Sequence, residues 1–217
     1  MEQTIPVLLV LIIVTCLFSW KGFNDPSFFN KYMFQVARVK AGEQYRMFTS
    51  ALLHGDLMHL AFNMYTLYMF APILVYYFGS IQFLIIYIFS VASGSLLAYA
   101  INKDNNYYSA IGASGGVMGI IYSAILINPD MGLYFFFIPI RIPAFVFAIG
   151  YLAYSVFGVK KAIGNIGHEA HIGGALGGII ITGVLNFGLI LNNLLLLALL
   201  LLPIVILFVM HKNGKLR

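Results

Sequence analysis

The chain has 217 residues, 61% of them hydrophobic and only 9% charged. Soluble domains carry about 25% charged residues, so this is the composition of a polytopic membrane protein, with no soluble domain expected at either end. The formal charge of +5 bears on membrane orientation, and no nucleic-acid partner is expected.

Seven apolar segments follow one another along the sequence. The first, 5–20, ends on Trp20 at an interfacial position. Glu2 stands where a signal peptide would carry basic residues, and no small-residue cleavage site follows, so this segment reads as a retained helix. Cys16 within it has no partner for an internal disulfide. The connection 21–55 mixes Phe28, Phe29, Tyr32 and Phe34 with Arg38 and Lys40, as an interfacial amphipathic region does. The second segment, 57–78, has Asp56 as its N-cap. The third, 81–101, follows a tight Gly79-Ser80 turn. The fourth opens at Ser114 and stops at Asn128-Pro129. The stretch 128–143 is apolar but interrupted by proline, and reads as an interfacial loop without helix. The fifth segment is 144–157, the sixth 168–185 and the seventh 189–210, before a basic tail of Lys212, Lys215 and Arg217. The expected fold class is therefore all-α, a polytopic membrane helix bundle.

The fourth segment is short. About 14 residues of helix reach roughly 21 Å, against a hydrocarbon core about 30 Å thick. A helix ending near one membrane face therefore begins well inside the other, placing Ser114 within the membrane at a helix N-terminus. Irregular backbone is tolerated at that depth only where protein or a water-filled cavity surrounds it.

Intramembrane ionisable residues point to function. His59 and Asn63, four apart in the second segment, share one helix face. In the sixth segment His171 heads a stripe of small residues, with Gly174, Ala175 and Gly178 within about 60° of it at the α-helical period. Such stripes let membrane helices approach closely. The fourth segment carries its own pair, Gly115 and Gly119. Two small faces can bring the His171 imidazole to the Ser114 hydroxyl, as a serine nucleophile requires. His59, Asn63 and the backbone N–H groups near Ser114 would then face an oxyanion. A zinc reading competes, since His168-Glu169-Ala170-His171 is close to His-Glu-x-x-His but one residue short. No metal or other cofactor is expected.

These residues form an ordered set. Gly112-Ala113-Ser114-Gly115 opens the fourth segment, and His171-Ile172-Gly173-Gly174 lies in the sixth. His54, His59 and Asn63 follow a His-x₄-His-x₃-Asn spacing, and Tyr45-Arg46 lies in the first long connection. In all four the chain resembles the rhomboid intramembrane serine proteases, over about residues 5–185. The resemblance implies a six-helix catalytic core, 1–187, and an additional C-terminal transmembrane helix and tail, 188–217, as in the "six plus one" members. It implies Ser114 as nucleophile and His171 as base in a dyad. His59, Asn63 and Gly112 would support the oxyanion, and His54 and Arg46 the structure. Substrates would be single-pass membrane proteins, cleaved in or beside their transmembrane helix, with small residues favoured at the cleavage point.

Three departures stand out. Tyr45 replaces a tryptophan, and Ala71-Pro72-Ile73-Leu74-Val75 lacks the family's bracing glutamate. Met118 stands where some members stack a tyrosine on the catalytic histidine. His168 and Glu169 have no counterpart that carries a role, and a helix-end interface position is expected for them. Two alternatives fit the residues less well. An inactive rhomboid-like protein that binds membrane clients would lack the serine or the histidine, and both are present. A channel would spread polar residues between the two faces, whereas here they cluster near one. With seven helices, eleven of the twelve Lys and Arg fall on one side and Arg141 alone on the other. The positive-inside rule makes the richer side cytoplasmic. The resemblance puts it, with Ser114, outside, and the reading adopted follows the resemblance.

Overall fold

The computed structural model describes residues 5–135, 138–161 and 166–214. Glu2, the Phe136-Phe137 pair, the stretch 162–165 and the tail residues Lys215 and Arg217 lie outside them. The fold is an all-α helix bundle. Its long elements are α1 (Ile5–Asn24), α5 (Leu57–Phe78), α6 (Ser80–Asn102), α7 (Ser114–Ile127), α8 (Ala144–Lys161), α9 (His168–Leu185) and α11 (Leu194–Lys212). The first connection folds as α2 (Pro26–Tyr32), α3 (Val36–Lys40), α4 (Arg46–Thr49) and a 3₁₀ turn, Ser50–Leu52. A short α10 (Phe187–Asn192) precedes α11. Among the described residues four helices are long and apolar enough to cross a membrane, and α7 and α11 are shorter apolar helices. The molecule is a multi-pass integral membrane protein.

α7 is the axis of the bundle: every residue from Gly115 to Leu126 is buried, packed among α5, α6 and α9. A helix apolar all round belongs in such a position. Asp56 caps α5, its Oδ1 accepting the His59 N–H at 2.8 Å. Gly79 makes the α5–α6 turn at φ 90°, a left-handed conformation that a side chain resists.

Three local features differ from the sequence expectation. The stretch 128–143 is a hairpin, with β3 (Gly132–Phe135) antiparallel to β4 (Ile138–Pro143). The ladder satisfies backbone groups that an irregular apolar loop would leave bare at the interface. The seventh segment is broken at Asn193, whose amide Nδ2 donates to the carbonyls of Leu126, at 3.2 Å, and Leu189, at 2.9 Å. Asparagine competes for backbone in this way, and here it fastens the break to the end of α7. A two-residue ladder also joins β1 (Phe34–Gln35) to β2 (Ser109–Ala110), pinning the first connection to the loop that leads into Ser114.

In place of the missing glutamate, Val75 is buried in the apolar core. The C-terminal halves of α7 and α9 are joined by hydroxyls: Thr182 donates to Ser123 Oγ at 2.7 Å, and Ser123 Oγ lies 3.2 Å from the Gly178 carbonyl.

Candidate active site

Ser114 is the first residue of α7, so the N–H groups of that first turn have no partner within the helix. The peptide before it is held from two sides. Gly112 N–H donates to the Ser50 carbonyl at 3.0 Å. Ala113 N–H donates to His54 Nε2 at 3.3 Å. His54 Nδ1 lies 2.9 Å from Ser19 Oγ, and Ser19 gives its hydroxyl proton to the Leu52 carbonyl at 2.8 Å. One hydroxyl has one proton, so Nδ1 carries the imidazole proton and Nε2 is left to accept from Ala113. His54 thus supports the loop.

His171 comes to the serine because glycine faces close the gap between helices. A methyl on Gly174 would lie 2.0 Å from the Gly115 carbonyl oxygen, and one on Gly178 would lie 2.4 Å from that of Gly119. Gly173 and Gly177 face α6 in the same manner, against Ser93. The α7 and α9 backbones therefore touch, as the small-residue stripe predicts. At the head of that seam His171 Nε2 lies 2.6 Å from Ser114 Oγ.

The other ring nitrogen has a partner that the sequence reading missed. Tyr151 Oη lies 2.7 Å from His171 Nδ1. The aromatic expected to be absent at Met118 is supplied from α8, with ring centroids 5.9 Å apart and planes tilted 32°. Phe147, Tyr151 and Tyr154 form one aromatic run on α8, and their i, i+4, i+7 spacing was the available signal.

His168 and Glu169 are not at the interface as expected; both are buried. His168 packs on Gly158, where a methyl would meet its ring at 2.3 Å, and edge-on against Tyr154. Glu169 turns away from His171. Its Oε1 accepts from Asn102 Nδ2 at 3.2 Å, and its Oε2 from the Tyr108 hydroxyl at 3.3 Å. It ties the end of α6 and the nucleophile loop to α9.

Gly112 has φ 114°. A methyl there would lie 2.8 Å from His59 Nε2 and 3.7 Å from Ser114 Oγ, so these two groups border one small space that only glycine leaves open. Asn63 is buried, and its Nδ2 donates to the His59 carbonyl at 3.0 Å, leaving its second amide hydrogen for other partners. A cavity of about 30 Å³ adjoins Ser114, lined by Ser50, Gly94, Gly112, Gly115 and Ala170. It is large enough for a water molecule. Among the described residues no three His, Cys, Asp or Glu side chains gather as a metal site requires.

Arg46 lies farther out. Its guanidinium is buried and donates to Glu43 at 2.6 Å and to the carbonyls of Asn30 and Met33 at 2.7 and 2.8 Å. The Arg46 bond holds the Glu43 carboxyl below its ordinary range. Tyr45 is exposed and donates to Glu43.

Fold and site together define a helical membrane protein that presents a serine–histidine pair at a buried helix N-terminus. The rhomboid domain model matches residues 41–187, and the chain belongs to the rhomboid family. It is 30% identical over 172 residues to RHOMBOID-like protein 12, mitochondrial, of Arabidopsis thaliana, covering 72% of this chain and 51% of that one. It is 30% identical over 139 residues to the human presenilin-associated rhomboid-like protein, mitochondrial, covering 61% and 36%. To the rhomboid protease GluP of Bacillus subtilis it is 29% identical over 147 residues, covering 68% and 27%. The chain thus spans about half, or less, of the length of these relatives.

Proposed function

We propose that the protein is an intramembrane serine endopeptidase that hydrolyses peptide bonds in or next to transmembrane helices of single-pass membrane proteins. The observation that carries this reading is the 2.6 Å contact between Ser114 Oγ and His171 Nε2. Ser114 gives its proton to Nε2 as Oγ attacks the carbonyl carbon, and the ring returns that proton to the leaving amine. The oxyanion occupies the space beside Gly112. His59, Asn63 and the first-turn N–H groups of α7 are its donors, and the helix N-terminus favours its charge. Water then releases the acyl chain. The pair works as a dyad in this reading, with Glu169 engaged by Asn102 and Tyr108. The small cavity beside Ser114 supports a preference for small side chains at the cleavage point. GluP, a relative, bears the name of a rhomboid protease, which agrees with this reading.

Residues 1–187 form the catalytic core in this reading, and 188–217 the additional helix and tail of the "six plus one" type. The packing of α11 along α8 supports a role for it as a fitted part of the bundle. The site opens to the extracytoplasmic side with the N-terminus inside, against the charge bias. A reporter fused to the C-terminus should read extracytoplasmic on a seven-helix chain, and a cytoplasmic reading overturns the orientation.

The deciding experiment uses the full chain, purified in detergent, with a model transmembrane substrate. Cleavage is expected, as is labelling of Ser114 by a fluorophosphonate, and both should vanish in Ser114→Ala. Cleavage that survives Ser114→Ala refutes the assignment. No cleavage and no labelling in the unaltered chain would favour the inactive, client-binding alternative.

A further inference from the structure

We infer that Tyr151 is a positioning residue for His171: its phenol oxygen holds the ring at Nδ1 and receives the Nδ1–H in the tautomer in which the ring can act as base. The inference rests on the protease reading. A neutral imidazole has one N–H. To take a proton from Ser114, Nε2 must hold a lone pair, so the hydrogen must sit on Nδ1. The group 2.7 Å from Nδ1 is Tyr151 Oη, which can then only accept.

Other candidates for that role are placed elsewhere. Glu169, two residues away, is bonded to Asn102 and Tyr108. The ring of His168 stands 6.3 Å from that of His171, centroid to centroid, nearly perpendicular to it. Tyr151 itself is held by its neighbours, with Phe147 stacked on it at 5.7 Å and Tyr154 beyond it at 6.1 Å.

A phenol differs from a carboxylate in this position. It donates as well as accepts, so a second arrangement exists. In it Tyr151 donates to Nδ1, Nε2 carries the hydrogen, and Ser114 Oγ can only accept. That arrangement is idle. Tyr151 therefore holds the ring in place in both states, and the reaction starts from the one in which the phenol accepts. Because α8 carries the tyrosine and α9 the histidine, the relative rotation of these two helices sets the activity of the base.

The test replaces Tyr151 with phenylalanine, and separately with fluorinated tyrosines of graded acidity, at a pH where every phenol keeps its proton. Losing one neutral hydrogen bond is expected to lower kcat about tenfold and leave KM unchanged. Across the fluorotyrosines, a more acidic phenol is a weaker acceptor, so log kcat should fall steadily with acidity. A structural filler would not follow acidity, since the shapes are nearly the same. A flat series, a series that rises with acidity, or Tyr151→Phe with full kcat overturns the inference. The unaltered chain separates the two questions: if it cleaves and labels while the series is flat, only the role of Tyr151 fails.

Discussion

Gly174→Ala tests whether backbone contact between α7 and α9 assembles the site. In an isolated helix this exchange is favourable by about 1 kcal/mol. Here the new methyl would lie 2.0 Å from the Gly115 carbonyl oxygen. Carbon and carbonyl oxygen settle no closer than about 3.3 Å, so α9 must withdraw from α7 by about 1.3 Å. Gly115 adjoins Ser114, and His171 lies about one turn from Gly174. The same withdrawal stretches the 2.6 Å Oγ–Nε2 contact to about 3.9 Å, past the roughly 3.2 Å limit of a useful hydrogen bond. Overpacking should cost about 1–3 kcal/mol of stability, and a displacement of about 1 Å at the chemistry about 100-fold in turnover. The control is the same exchange at Gly150 in α8, where a methyl would meet nothing within 4 Å. Gly150→Ala should hold or raise the thermal midpoint and keep full cleavage. The assay pairs a thermal melt in detergent with cleavage of the transmembrane substrate. If Gly174→Ala melts and cleaves as the unaltered chain does, the seam does not set the geometry of the pair.

Nucleophile and base act as a unit, so Ser114→Ala, His171→Ala and the double variant should share one floor of activity. His168→Ala should melt earlier, because the ring is buried on Gly158, yet still cleave. A dead His168→Ala beside an active His171→Ala would reverse the assignment. His59→Ala and Asn63→Ala should each lower turnover by about 10²–10³ while leaving the protein folded, and a fully active double variant refutes their role. Strong chelation should leave cleavage intact, whereas loss restored by zinc would favour a metal mechanism. Because Arg46 lowers the folded-state pKa of Glu43, Glu43 stabilises the fold fully above its unfolded value of about 4.3. That contribution disappears as pH falls through the lower folded value. The melting advantage of the unaltered chain over Glu43→Gln should follow that course, and an advantage that persists in strong acid contradicts it.

Much of the site was legible because it depends on periodicity. Ser114 at the head of a short apolar helix, and His171 at the head of a small-residue stripe, follow from spacing alone. The structure places them 2.6 Å apart. Tyr151 was not read, because its contact depends on how α8 is rotated against α9, and one helix's sequence does not contain that angle. The hairpin was missed because its prolines masked the alternation of Ile138, Ile140 and Ile142. The ladder of Phe34–Gln35 with Ser109–Ala110 is two residues long, too short to leave a pattern. Glu169 and His168 read as helix-end residues because nothing near them in sequence reveals that Asn102, Tyr108 and Gly158 will surround them.

The bond from Ser19 to His54 has a bearing on where this protein can be cut. The rhomboid match begins at residue 41, which invites a shortened version starting there. Such a version would delete α1 and with it Ser19, and His54, fully buried, would keep a ring N–H with nothing to receive it. A stranded buried donor costs about 1–3 kcal/mol, charged here to the residue that steadies the peptide next to Ser114. The start of the domain match is thus not a boundary of autonomy: the first helix lies ahead of residue 41 and still braces the peptide beside Ser114.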